Sequence, residues 1–135
     1  MPHIIIEYSA NLEPQLDIPG FMAAMHAAGL ATGLFELGGI RVRALRRDQF
    51  IVADGDPANA YVHVTARIGH GRPLEKRKAL GEALFNAAST YLEPVFATRP
   101  LALQLEIQEI DPDLNYKRNN IHARLAARAK KETAA

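Results

Sequence analysis

Apolar and β-branched side chains fill His3 to Ser9, and this nearly continuous run predicts a strand. Ala10 to Leu16 loses the pattern and reads as a loop. Asp17 then stands where a helix N-cap belongs, with Pro19 in the first turn. The helix runs to about Ala31 with Phe21, Met22, Met25 and Ala28 on its apolar face, and Gly29 and Gly33 mark its fraying end. Gly38-Gly39 releases the chain into a strand from Ile40 to Leu45, where Ile40, Val42 and Ala44 alternate with Arg41, Arg43 and Leu45. Gln49 to Ala53 is either its continuation or a hairpin partner, and Asp54-Gly55-Asp56-Pro57 is a turn.

The same order then repeats. Tyr61 to Ile68 is a strand, and Gly69-His70-Gly71 is a loop. Pro73 opens a helix to about Phe96, with Leu74, Gly81, Leu84, Phe85, Ala88, Leu92, Val95 and Phe96 on one stripe. Arg99-Pro100 ends that helix. Leu101 to Ile110 is a long alternating strand, and the chain from Asn115 to Lys131 is partly helical. Two β-α-β units predict an α+β fold, a four-stranded mixed sheet with two helices on one face. The strands carry apolar residues on both faces, so the face without helices needs a cover. Symmetric self-association supplies one, and a homo-oligomer is expected. Residues 1–125 are expected to form a single domain and 126–135 a disordered tail, with Arg124, Arg128, Lys130 and Lys131 as solvated charge.

Composition narrows the function classes. A net charge of +1 and mixed charge signs give no reason to expect a nucleic-acid partner. No apolar stretch approaches the roughly 20 residues that span a bilayer, and the N-terminus lacks the basic flank of a signal peptide, so a cytoplasmic protein without a membrane partner is expected. Without cysteine there is no disulfide and no thiolate chemistry. His3, His63 and His122 have no metal-ligand spacing and read as structural or solvated, so no metal is expected. Gly69-His70-Gly71 lacks the form of a nucleotide cradle.

The opening Pro2-His3-Ile4-Ile5-Ile6-Glu7-Tyr8-Ser9-Ala10-Asn11 resembles the start of the 5-carboxymethyl-2-hydroxymuconate isomerase family. Ala31-Thr32-Gly33, Gly39-Ile40-Arg41, Ala53-Asp54-Gly55, Ile68-Gly69-His70-Gly71-Arg72 and Leu114-Asn115-Tyr116-Lys117-Arg118-Asn119-Asn120 are similar to the same family. The likeness covers all but the last dozen or so residues. It implies the tautomerase superfamily, whose members are trimers of double β-α-β subunits with the sheets forming an inner barrel. It also implies an isomerase without metal or organic cofactor, acting on a di- or tricarboxylate product of aromatic ring cleavage in homoprotocatechuate breakdown. A tautomerase with another enol or unsaturated-acid substrate, or a non-catalytic trimeric binding protein, stays open.

The chemistry suits the residues. As an amide nitrogen Pro2 has no basicity, but removal of Met1 leaves a secondary amine at the chain end. α-Amino groups titrate near ~8, within reach of a general base at neutral pH. Burial and a nearby guanidinium would lower it further. A chain that keeps Met1 is not the competent form. The resemblance implies that Arg41 and Arg72 are shared across the family. A guanidinium offers a permanent charge and a fork that matches a carboxylate or a developing dienolate. Arg72 stands at a helix start, where a cation opposes the helix dipole and needs a reason. Catalytic candidates are thus Pro2, Arg41 and Arg72, with Arg43 and His70 as substrate-binding candidates. Glu7, Glu106 and Glu109 could orient a base.

Overall fold

The computed structural model describes residues 1–134. Its regular elements are β1 (His3–Ser9), α1 (Ile18–Ala31), β2 (Arg41–Arg47), β3 (Ala60–Gly69), α2 (Leu74–Phe96), β4 (Leu101–Ile110) and α3 (Ile121–Ala134). The sheet order is β2-β1-β3-β4. β1 pairs parallel to β2 and β3 parallel to β4, so each β-α-β unit closes on itself. The units meet through the antiparallel pair β1 and β3, with His3 opposite Arg67 and Tyr8 opposite Val62. The predicted α+β arrangement, two helices on one face of a mixed sheet, is the one observed.

Asp17 caps α1 as expected, its carboxylate accepting from the Gly20 N–H. Ile4, Ile6 and Tyr8 of β1 and the even-numbered residues Ala60 to Ile68 of β3 are buried beneath the helices. Phe21 and Met25 of α1 and Leu80, Leu84, Ala88, Leu92 and Val95 of α2 close this core. Complete burial of one such large aliphatic side chain stabilises the fold by about 1.5–3 kcal/mol.

Four expectations need correcting. The stripe predicted for α2 holds at Leu84, Ala88, Leu92 and Val95, but it leaves out Leu80, which is buried, and includes Leu74, Phe85 and Phe96, which are exposed. Gln49 to Ala53 is neither strand nor hairpin partner. Asn59 ties it into a loop instead, its amide donating to the Val52 carbonyl and the Asp54 carboxylate. The face without helices is not apolar. Alternation puts Arg41, Arg43 and Arg47, Tyr61, His63, Thr65 and Arg67, and Gln104, Glu106 and Gln108 there, with only Ile5, Leu45 and Ala102 between them. Finally, 126–134 continues α3 as helix where a tail was expected, and Ala135 lies outside the described residues. Most of α3 is exposed, and Asn119 ties its start down by donating to the Gly38 carbonyl.

Candidate active site

The mixed sheet brings three connections to one end of the molecule. β1 and β2 begin there, and β3 and β4 finish there. The segment joining α1 to β2, the Gly69–Pro73 loop and the stretch after β4 therefore converge on the N-terminus. Pro2 sits at their meeting point. Its ring is buried, and its carbonyl accepts from the Arg41 N–H at 3.0 Å, so the parallel ladder extends back to it.

Two clefts open around Met1. One, of about 530 Å³, is lined by Met1, His3, Arg41, the 115–119 segment and His122. The other, of about 320 Å³, is lined by Met1, Leu34, Phe35, Glu36, Gly39, Gly69, Arg72, Asn115, Lys117 and His122. Met1, Asn115, Lys117 and His122 belong to both, so Met1 stands in the passage between them. Gly39 faces Met1 so closely that a Cβ there would lie 3.0 Å from the Met1 carbonyl oxygen. The terminal amine is held below its ordinary value, first by burial and then by the Arg41 and Lys117 charges.

The cations around this point are held in different ways. Arg72 donates to the Leu34 carbonyl at 2.9 Å, and its guanidinium lies 5.2 Å from the centre of the Phe35 ring. Arg77 accepts the role of tether to the same loop by donating to the Arg72 carbonyl at 3.1 Å. Arg41 donates to the Gly39 carbonyl at 3.0 Å. No carboxylate pairs with Arg41, Arg72 or Lys117 among the described residues, so all three charges are available to an anion.

Of the five sequence candidates, Arg41 lines one cleft and Arg72 the other, while Pro2 is buried next to Met1, which lines both. Arg43 does not line either cleft. It stands on the open sheet face behind His3 and contacts its Nδ1 at 2.9 Å. Burial, and then Arg43, keep His3 below its ordinary pKa, which suits a neutral imidazole accepting from a guanidinium. His70 also lies outside both clefts, exposed, with Nδ1 3.4 Å from Glu109. Glu109 accepts from the Gly71 N–H at 3.3 Å and meets Arg77 at 3.3 Å, so it fastens the Gly69–Arg72 loop to β4.

Sequence reasoning missed Lys117, Asn115, Phe35 and His122 as cleft walls. The run Asn115 to Asn120 was the available signal, as one of the stretches that resemble the family. His122, read as solvated, contacts Glu36 at 3.3 Å across the cleft. Among the described residues no three His, Asp or Glu side chains gather as a metal site. A larger groove of about 620 Å³ lies apart from this site, between α2 and β4, with Leu74, Phe85, Leu105 and Ile107 in its walls.

Known proteins share this fold. The family model of 5-carboxymethyl-2-hydroxymuconate isomerase matches residues 2–125. A 5-carboxymethyl-2-hydroxymuconate Delta-isomerase of Escherichia coli is 45% identical over 123 residues, covering 91% of this chain and 98% of that protein. The crystal structure of a 5-carboxymethyl-2-hydroxymuconate isomerase from Deinococcus radiodurans R1 superposes with a TM-score of 0.87 at 40% identity, covering 92% of this chain and 93% of that one. A fused 4-OT symmetric trimer shares the fold with a TM-score of 0.62 at 17% identity, over 80% of this chain and 85% of that one. A family model that matches residues 2–125, with relatives that match this double β-α-β fold over nearly its whole length, shows that the chain belongs to the 5-carboxymethyl-2-hydroxymuconate isomerase family.

Proposed function

We propose that this protein isomerises 5-carboxymethyl-2-hydroxymuconate or a closely similar ring-cleavage product, with the Pro2 amine as the proton carrier. The observation that carries the reading is the place of the chain start: Met1 stands between two cation-lined clefts, and Pro2, buried next to it, would be uncovered there once Met1 is removed. Once Met1 is removed, the Pro2 nitrogen becomes a secondary amine in the surroundings that hold the Met1 amine low: a partly desolvated site beside Arg41 and Lys117. Those influences favour its neutral form, the form a base requires.

The amine takes a proton from the dienol. The electron pair left behind spreads over the conjugated system as a dienolate, and the same proton returns at carbon by a 1,3- or 1,5-shift. No atom is gained or lost. Arg41 and Arg72 hold the carboxylates and the oxygen on which negative charge develops. The two hydrogen bonds that Arg72 donates to the Leu34 and Gly69 carbonyls, with its stacking on Phe35, reduce the reorganisation needed as that charge appears. Arg43 acts through His3, and His70 through the Glu109 tether, so both are positioning residues in this reading.

A homotrimer working in the cytoplasm fits the same reading. No helix among the described residues is long and apolar enough to cross a membrane. A relative in fold is named a symmetric trimer, and the exposed Leu74 and Phe85 beside the α2–β4 groove offer apolar surface for a neighbouring copy.

The test compares protein that begins at Pro2 with protein carrying one extra N-terminal residue, each verified by intact mass. Turnover of 5-carboxymethyl-2-hydroxymuconate is expected to fall by about 10²–10⁴-fold in the capped form, the usual contribution of a positioned base. The kcat/KM of the uncapped form is expected to drop as pH falls through the amine pKa. Full activity with the nitrogen capped would sink the proposal. A simple monocarboxylate enol assayed alongside separates this reading from a tautomerase of other substrate.

A further inference from the structure

The segment after β4 lines both clefts. It is tied at both ends. Asp111 caps its first turn by accepting from the Asp113 N–H at 2.9 Å. At the far end Asn119 donates to the Gly38 carbonyl at 3.0 Å, and its own side-chain oxygen receives the Ile121 N–H at 2.6 Å. His122 lies against Gly38, where an added Cβ would meet its ring. Between these ties Lys117 reaches the N-terminus. It lines both clefts, has no carboxylate partner among the described residues, and acts on the terminal amine.

Arg41 walls one cleft and Arg72 the other, while Lys117 belongs to both. The molecule named for the family's relatives is a muconate, a diacid, with a carboxymethyl group added, so it bears three carboxylates. Desolvating a carboxylate without a charged partner is costly, whereas a charge-assisted contact offsets that cost. An ammonium on a flexible stem suits a carboxylate carried on a freely rotating CH₂ better than a rigid fork does. Resting on the isomerase reading above, we propose that Lys117 is the specificity residue that receives the carboxymethyl carboxylate, so that this enzyme prefers a tricarboxylate dienol to the dicarboxylate lacking that arm.

The experiment measures kcat/KM for 5-carboxymethyl-2-hydroxymuconate and for 2-hydroxymuconate, with wild-type protein and with Lys117→Met and Lys117→Arg. Rates are taken on the high-pH plateau, where the terminal amine is neutral and any influence of Lys117 on its pKa drops out. The ratio of the two kcat/KM values is expected to fall about 10- to 100-fold in Lys117→Met, the range of one charge-assisted contact, mostly through KM, and to recover in part in Lys117→Arg. A ratio unchanged within about threefold, whatever the absolute rates, would overturn the assignment. Wild-type protein that leaves the tricarboxylate untouched would instead overturn the isomerase reading itself.

Discussion

Gly39→Ala is a sharp test of whether the space above Pro2 is the reaction chamber. Gly39 is buried in the short turn before β2, and its φ is not positive, so alanine brings no backbone strain. Everything depends on what the new methyl meets. Its Cβ would stand 3.0 Å from the Met1 carbonyl oxygen and 3.1 Å from the Met1 nitrogen, with His122 Cε1 at an ordinary 3.7 Å. Backbone atoms yield less readily than the tip of a side chain, and overpacking of this kind costs about 1–3 kcal/mol. An unfolding entropy of about 2.1 cal/mol/K per residue over 135 residues comes to about 0.28 kcal/mol/K, so Tm should drop by about 4–10 °C while Met1 is present. In protein that begins at Pro2 both close contacts are gone, and the Tm penalty should shrink below about 3 °C. The same methyl then projects into the space the substrate must enter, and a displacement of about 1 Å costs about 10²-fold in rate. Thermal melts and steady-state kinetics on both forms check this. Equal destabilisation of the two forms, or wild-type turnover by the Pro2-first variant, would mean that Gly39 does not wall the chamber.

Arg72→Lys keeps the charge but loses the planar fork that donates to Leu34 and stacks on Phe35, so kcat/KM should fall about 10²-fold in a steady-state assay with only a small change in Tm. A decrease of less than about threefold would show that charge alone suffices. For His3 the sign follows from a lowered pKa: the stability tied to its neutral form is complete above the ordinary 6.5 and is lost as pH falls through the lower folded value. Arg43→Gln removes the largest charge acting against the imidazolium, so an NMR titration should find the His3 midpoint moved up toward 6.5, and an unmoved midpoint would contradict the contact at 2.9 Å.

Much of the fold was legible because local rules and tertiary packing agree. The β-branched run at His3 to Ser9, the Asp17 cap and the alternation in β2 and β4 each have one good structural solution. Errors arose where two solutions compete. In α2 the centre of the buried stripe was legible, but Leu80 and Phe85 flank it on opposite sides and both are apolar, so only packing decides which of them is covered. In the loop after β2, the carboxylate and amide of Asp54 and Asn59 outbid a strand through local hydrogen bonds that no period reveals. The open face is polar because β2, β3 and β4 alternate more strictly than β1, whose three consecutive isoleucines put Ile5 on it.

The candidate site divides in the same way. Pro2, Arg41 and Arg72 could be named from the chain because each has a chemical reason to be where it is: a position that yields an amine, a cation after a glycine pair, a cation at a helix start. Periodicity, capping and turn chemistry act over a few residues, so the order of elements follows from sequence alone. Which side chains meet does not, because it depends on strand order and direction. Only the parallel and antiparallel pairings of β2-β1-β3-β4 bring the end of β4 to the end of the sheet where β1 starts, and so set Lys117 against the N-terminus across more than a hundred residues of chain. The same pairings turn Arg43 toward His3 and His70 toward Glu109, away from the clefts, since neighbours across a sheet or loop compete for a side chain that a linear reading treats as free.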